Sequence, residues 1–95
     1  MIAKRIVVEG WVQDVGYRDY VLRVAVLAGI CGTVRNRSDG SVEIIAEGVE
    51  DTVLPFIEGL KSDVNQELGG CMAKVTRISE EEVPFTGFTE FRVKR

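Results

Sequence analysis

An α+β sandwich, with one antiparallel sheet carrying two helices on a single face, is predicted by three observations. Apolar periodicity changes from the strand repeat of about two to the helix repeat of roughly 3.6, and back, twice along the chain. A Ser38-Asp39-Gly40 turn separates two β-prone runs near the middle of the sequence. Two segments punctuated by glycine carry apolar residues at three- and four-residue intervals. The element order is therefore β-α-β-β-α-β, with the last β region divided in two.

Each element has its own warrant. Residues 2 to 9 place Ile6, Val7 and Val8 among charges and run into Gly10, a short strand pattern. From Arg18 onward Val21, Leu22, Ala25, Val26 and Ala28 form one helical stripe, with Asp19 near the positive end of the helix dipole and Gly29 at the exit. The runs 31 to 37 and 41 to 47 flank the Asp-Gly turn and read as a hairpin. Val53, Phe56, Ile57, Leu60 and Val64 make a second stripe. Pro55 cannot donate to the helical ladder, so the helix is expected to start near Asp51 to Thr52 or to kink. After Gly69-Gly70, residues 71 to 83 read as a fourth strand and 88 to 95 as an edge-like fifth. Two strands with a helix between them imply a split βαβ unit, and the closed solution is a ferredoxin-like sandwich.

Ninety-five residues at 45% apolar and 28% charged fit one domain spanning residues 1–95, with monomer as the default state. A net charge of −3 and a pI near 4.9 disfavour a nucleic-acid or anionic-membrane partner. The opening MIAKRIVVEGWV has too few consecutive apolar residues for a signal peptide or a membrane span, so a cytoplasmic location is expected. Cys31 and Cys71 lack CxxC spacing and there is no histidine, which argues against a metal site and favours free, buried or half-buried thiols, with a disulfide between them left open because sequence does not place their Cα atoms. The missing imidazole also removes the usual general base and any Ser-His or Cys-His nucleophile.

The connector from Gly10 to Tyr17 ends at the N-terminus of the first helix. Loop amides and the unpaired donors of a helix's first turn make an anion cradle, and Arg18 adds a cation whose fork matches phosphate oxygens. The competing reading is that Arg18 pairs with a surface carboxylate. Spacing alone leaves both open.

The run Gly10-x-Val12-Gln13-x-Val15-x-Tyr17-Arg18 resembles the acylphosphatase signature, usually written GxVQGVxFR. A second run, Gly32-Thr33-Val34-Arg35-Asn36-x-x-x-Gly40-x-Val42 followed by Gly48, resembles that family's other signature. The resemblance continues through Gly48-Val49-Glu50-Asp51, Ala73-x-Val75 and Phe91-Arg92-Val93, and so covers almost the whole chain. It implies hydrolysis of the carboxyl-phosphate bond of small acyl phosphates on a ferredoxin-like fold, without metal or cofactor. By position it implies that Arg18 and the amides of Gln13, Asp14, Val15, Gly16 and Tyr17 hold the phosphate, and that Asn36 orients the attacking water. An acyl phosphate leaves as a carboxylate of low pKa, so such a step runs on positioning and charge stabilisation.

Two positions depart from the pattern. Asp14 stands where the family usually has glycine; aspartate is among the few side chains that enter the left-handed region. Its carboxylate, ~6 Å from a phosphate dianion, would cost on the order of 1–3 kcal/mol. That lowers kcat/KM by roughly one to two decades unless the carboxylate turns to solvent or pairs with Arg35 or Arg37. Thr33 replaces a common aromatic, and Trp11 is the nearby ring that could compensate.

Plainer readings compete for several residues. Asparagine beside a hairpin turn is commonly structural, which applies to Asn36 taken alone. Trp11, Tyr17 and Tyr20 suit core or rim packing, Asp19 suits the helix dipole, and Glu80-Glu81-Glu82 suits a solvated strand end. The same fold could also serve as a non-catalytic anion-binding or regulatory module. RNA binding is weaker, since the sheet lacks paired stacking aromatics.

Overall fold

The computed structural model describes residues 1–95. Alternating side chains in the strands and three- to four-residue spacing in the helices give β1 (Ile2–Trp11), α1 (Tyr17–Ala28), β2 (Cys31–Asn36), β3 (Val42–Gly48), α2 (Glu50–Ser62), β4 (Lys74–Glu82) and β5 (Phe91–Val93). The sheet order is β4-β1-β3-β2-β5. Strands β4, β1, β3 and β2 pair antiparallel, as expected for the ferredoxin-like sandwich, and β5 joins β2 in parallel, so the complete sheet is mixed.

One face of this sheet is the core. Ile6 and Val8 of β1, Val34 of β2, Val42, Ile44 and Ala46 of β3 and Val75 of β4 pack with Val21 and Ala25 of α1 and with Val53, Phe56, Ile57 and Leu60 of α2. The α2 stripe is the one that the spacing marks; in α1 Val21 and Ala25 are buried and Leu22 packs against the core, but Val26, 60% exposed, and Ala28 lie on the solvent side, and Val24 packs against the core instead. Helix α2 begins at Glu50, earlier than expected, and contains Pro55. The Val49 carbonyl accepts from the N–H of both Thr52 and Val53, which closes the first turn ahead of the proline.

On the opposite face a charged row replaces the core. The Glu43 carboxylate accepts from Arg5 Nε at 2.7 Å and from Arg35 Nε at 2.8 Å, linking β1, β3 and β2. Desolvation pushes Glu43 upward, but the bonds from Arg35 and Arg5 outweigh it and hold its pKa below the ordinary value. Glu80 is not merely a solvated strand end. On the helix-bearing face, in register with Ile6, it pairs with Lys61 of α2 and with Lys4 of β1, while Glu81 and Glu82 are exposed as expected.

Because β4 and β5 lie at opposite edges, residues 83 to 90 must cross the sheet. Four strand intervals of about 4.8 Å need roughly 19 Å, which eight extended residues can span. Glu47, 1% exposed, fastens this belt by accepting the N–H groups of Thr86 at 2.6 Å, Gly87 at 2.9 Å and Phe88 at 2.9 Å. The belt delivers Phe91 beside Gly32, and β5 then runs toward the far end of the sheet, where β1 and β2 terminate. Replacing Glu47 by alanine deprives three backbone donors of the buried carboxylate that they share and is expected to cost about 3 kcal/mol. Urea denaturation measures the loss, and faster amide exchange in β5 locates it.

Candidate active site

Three anchors shape the connector between β1 and α1. The register of β1 against β4 shifts between Glu9 and Gly10, a bulge that re-aims the strand end. Gly10 has φ 133, and a Cβ there would lie 2.2 Å from the Lys74 carbonyl oxygen, so only glycine fits. Val12 is buried and pins the loop to the core. Asp14 then takes φ 63 and Gly16 φ 85, both left-handed, a region that aspartate is among the few side chains to tolerate. Left-handed residues two apart turn successive N–H groups toward one concavity, an anion-binding nest.

The surrounding elements brace this loop. Gln13 Nε2 donates to the carbonyls of Arg37 at 2.7 Å and Ser41 at 2.8 Å, spending both its amide protons on the β2–β3 hairpin. The Met72 N–H donates to the Val15 carbonyl at 3.0 Å, and Cys71 packs against Gly16, where a Cβ would meet it at 3.4 Å. The segment before β4, expected to be strand from Cys71, is thus a loop support; β4 starts at Lys74. Both cysteines are free and half-buried.

A cavity of about 120 Å³ lies in front of the loop. Val12, Gly16 and Tyr17 line it, with Val93 from the end of β5. Its charged lining is Asp14, Arg18, Asp19 and Arg95. None of the backbone N–H groups of residues 13 to 19 donates a hydrogen bond within the protein. Arg18 is half-buried and enters no ion pair, which removes the reading of it as a partner for a surface carboxylate. An unpaired guanidinium over a ring of unpaired amides is an arrangement suited to an oxyanion.

Asn36, the last residue of β2, is not part of the lining of this cavity. Its neighbour Arg37 is held by Gln13, and Lys94 donates its N–H to the Val34 carbonyl at 2.8 Å, so both flanks of the strand end are fixed. The Asn36 Oδ1 is buried without a protein partner. The turn after it is an Asx turn, in which Asp39 Oδ1 accepts from the Ser41 N–H and hydroxyl and Gly40 has φ 94.

The aromatic residues divide. Tyr17 is buried with its hydroxyl unpartnered, and burial pushes its pKa far up. Tyr20 stacks on it with centroids 5.9 Å apart and donates to Asp63 Oδ2 at 3.0 Å; burial and that carboxylate push it up to about 12. Both phenols are therefore neutral at pH 7, packing groups rather than acids. Trp11 is 65% exposed and does not fill the space beside Thr33. That space, about 310 Å³, is lined instead by Phe88, Arg92, Val93 and Lys94 together with Thr33. Asp14 turns to solvent without a cation, since Arg35 pairs with Glu43 and Arg37 with Asp39.

The acylphosphatase family model matches residues 4–93. The chain belongs to the acylphosphatase family. A Bacillus licheniformis protein named acylphosphatase is 38% identical over 94 residues, covering 98% of each chain. One from Bacillus subtilis is 43% identical over 82 residues, covering 86% of this chain and 84% of that one. A crystal structure of acylphosphatase from Bacillus subtilis aligns over 100% of both chains at 37% identity with a TM-score of 0.85. A structure of an acylphosphatase from Coxiella burnetii aligns over 98% of this chain and 92% of that one at 28% identity, with a TM-score of 0.82. No helix here is long and apolar enough to cross a membrane.

The side chain of Gln13, Arg95 and the brace at Cys71 and Met72 escape sequence reasoning, because their partners lie far along the chain. Only the family motif hints at Gln13. Gln13→Ala is expected to cost about 1–2 kcal/mol for two lost bonds, and Gln13→Glu more, because a carboxylate would face two carbonyl oxygens. Denaturation midpoints and the backbone 15N relaxation of residues 13 to 16 check both.

Proposed function

We propose that this protein hydrolyses acyl phosphates to a carboxylate and inorganic phosphate by attack of water on phosphorus. The observation that carries the reading is the unpaired Arg18 guanidinium at a cavity also lined by Asp14, Gly16, Tyr17 and Asp19, residues whose backbone N–H groups have no partner within the protein. Family membership, and relatives that bear the name acylphosphatase over nearly their whole length, support it.

The phosphoryl group sits among those amides with its equatorial oxygens on the Arg18 fork, so developing charge meets fixed donors without reorganisation. The side-chain amide of Asn36 orients the attacking water so that a lone pair of the water faces phosphorus, a role supported by its place in the family motif rather than by the cavity lining. The water oxygen bonds to phosphorus and the bond from phosphorus to the carboxylate oxygen breaks. The electron pair leaves on the carboxylate, and the proton of the water ends on the phosphate product or in solvent. Because a carboxylate leaves readily, no general acid is needed, which fits a chain without histidine.

Asp14 opposes this chemistry weakly. Its exposure places the repulsion toward the lower end of the sequence estimate. Hydrolysis of benzoyl phosphate tests the proposal: Arg18→Ala and Asn36→Ala are each expected to lower kcat/KM by at least about 10²-fold. Asp14→Gly is expected to raise it by roughly tenfold or less. A parent protein that binds inorganic phosphate through Arg18 yet turns over no acyl phosphate, with or without Asp14→Gly, would instead be an anion-binding module.

A further inference from the structure

Exposure sorts the lining of the cavity into a floor and a mouth. Val12 and Tyr17, each 1% exposed, form the floor, Arg18 is half-buried, and Asp14, Asp19 and Arg95 are exposed at the opening. If the phosphoryl group occupies the loop amides, the acyl group must project outward past these three charges. Neither Asp14 nor Asp19 has a cationic partner, whereas Glu9, Asp39, Glu43 and Glu80 are all paired. Two free carboxylates against one guanidinium leave the mouth negative, while the floor beside Arg18 is positive. The left-handed backbone at residue 14 fixes where the first carboxylate starts.

We propose that Asp14, with Asp19, acts as a charge filter on the acyl group. The substrate class is then acyl phosphates whose acyl part carries a cation, such as an ammonium group, and acyl phosphates bearing a second anion are disfavoured. This rests on the hydrolytic reading above and goes beyond it by naming what the leaving carboxylate carries. It also gives Asp14 a role: the repulsion it exerts on phosphate is common to every substrate and cancels when two substrates are compared. The attraction or repulsion of the acyl charge does not cancel.

Three benzoyl phosphates of similar shape test the filter, with aminomethyl, methyl or carboxylate in the para position. A unit charge about 7 Å from a carboxylate near the surface changes binding several-fold, so the aminomethyl compound should exceed the carboxylate compound in kcat/KM by roughly tenfold, with the methyl compound between. In Asp14→Asn, which keeps a side chain tolerant of the left-handed region, that ratio should fall to within about threefold. Raising the salt concentration should shrink the ratio in the parent. Equal rates for the three compounds, or a ratio that Asp14→Asn leaves unchanged, overturn the filter while hydrolysis itself stands. Hydrolysis of none of them overturns both readings.

Discussion

A strand that passes into a helix through residues 12 to 16 cannot pair its own amides, and the rest of this structure is arranged around that constraint. The backbone is left-handed at Asp14 and Gly16, and the N–H groups from 13 to 19 have no partner in the protein. Exposed loop amides are ordinarily content with water. Here a cavity lined by an unpaired arginine lies against the loop, and on the proposed reading its unmet hydrogen bonds serve to bind an anion. The short connector is also why other elements must hold it: Gln13 ties it to the hairpin, Met72 to the segment before β4, and Val12 to the core.

The fold serves this end of the sheet from a distance. Glu47 clamps the belt at the opposite end and thereby sets where β5 begins; β5 then carries Val93 to the cavity wall. Charge is arranged locally within an acidic protein of net charge −3. Cations that stabilise the sheet are spent on Glu43, and those at the site, Arg18 and Arg95, are left without ion pairs. This local positive site inside a negative surround accounts for an anion cradle in a chain whose overall charge argues against polyanionic partners.

What the sequence made legible were features with local causes. The stripe of α2, the Val21 and Ala25 core of the α1 stripe and the hairpin at Asp39-Gly40 follow from residues within a few positions of each other. Arg18 at the helix entrance was legible for the same reason. Features with distant causes were not. Gln13 finds its acceptors 24 and 28 residues away, and Glu47 finds its donors about forty residues on. Thr33 shares the lining of a cavity with Phe88 of the crossing belt, and nothing next to Thr33 in the sequence announces that. The parallel pairing of β5 likewise depends on the belt spanning the sheet. The early start of α2 despite Pro55 depends on a first turn that closes on Val49 before the proline is reached.

The most direct test of the central claim is a titration of 15N-labelled protein with inorganic phosphate, followed through backbone amide chemical shifts at constant pH. The account predicts saturable downfield proton shifts concentrated at residues 13 to 19, weakened strongly in Arg18→Ala. Shifts that never saturate, or that saturate at another part of the surface and are indifferent to Arg18, would contradict it.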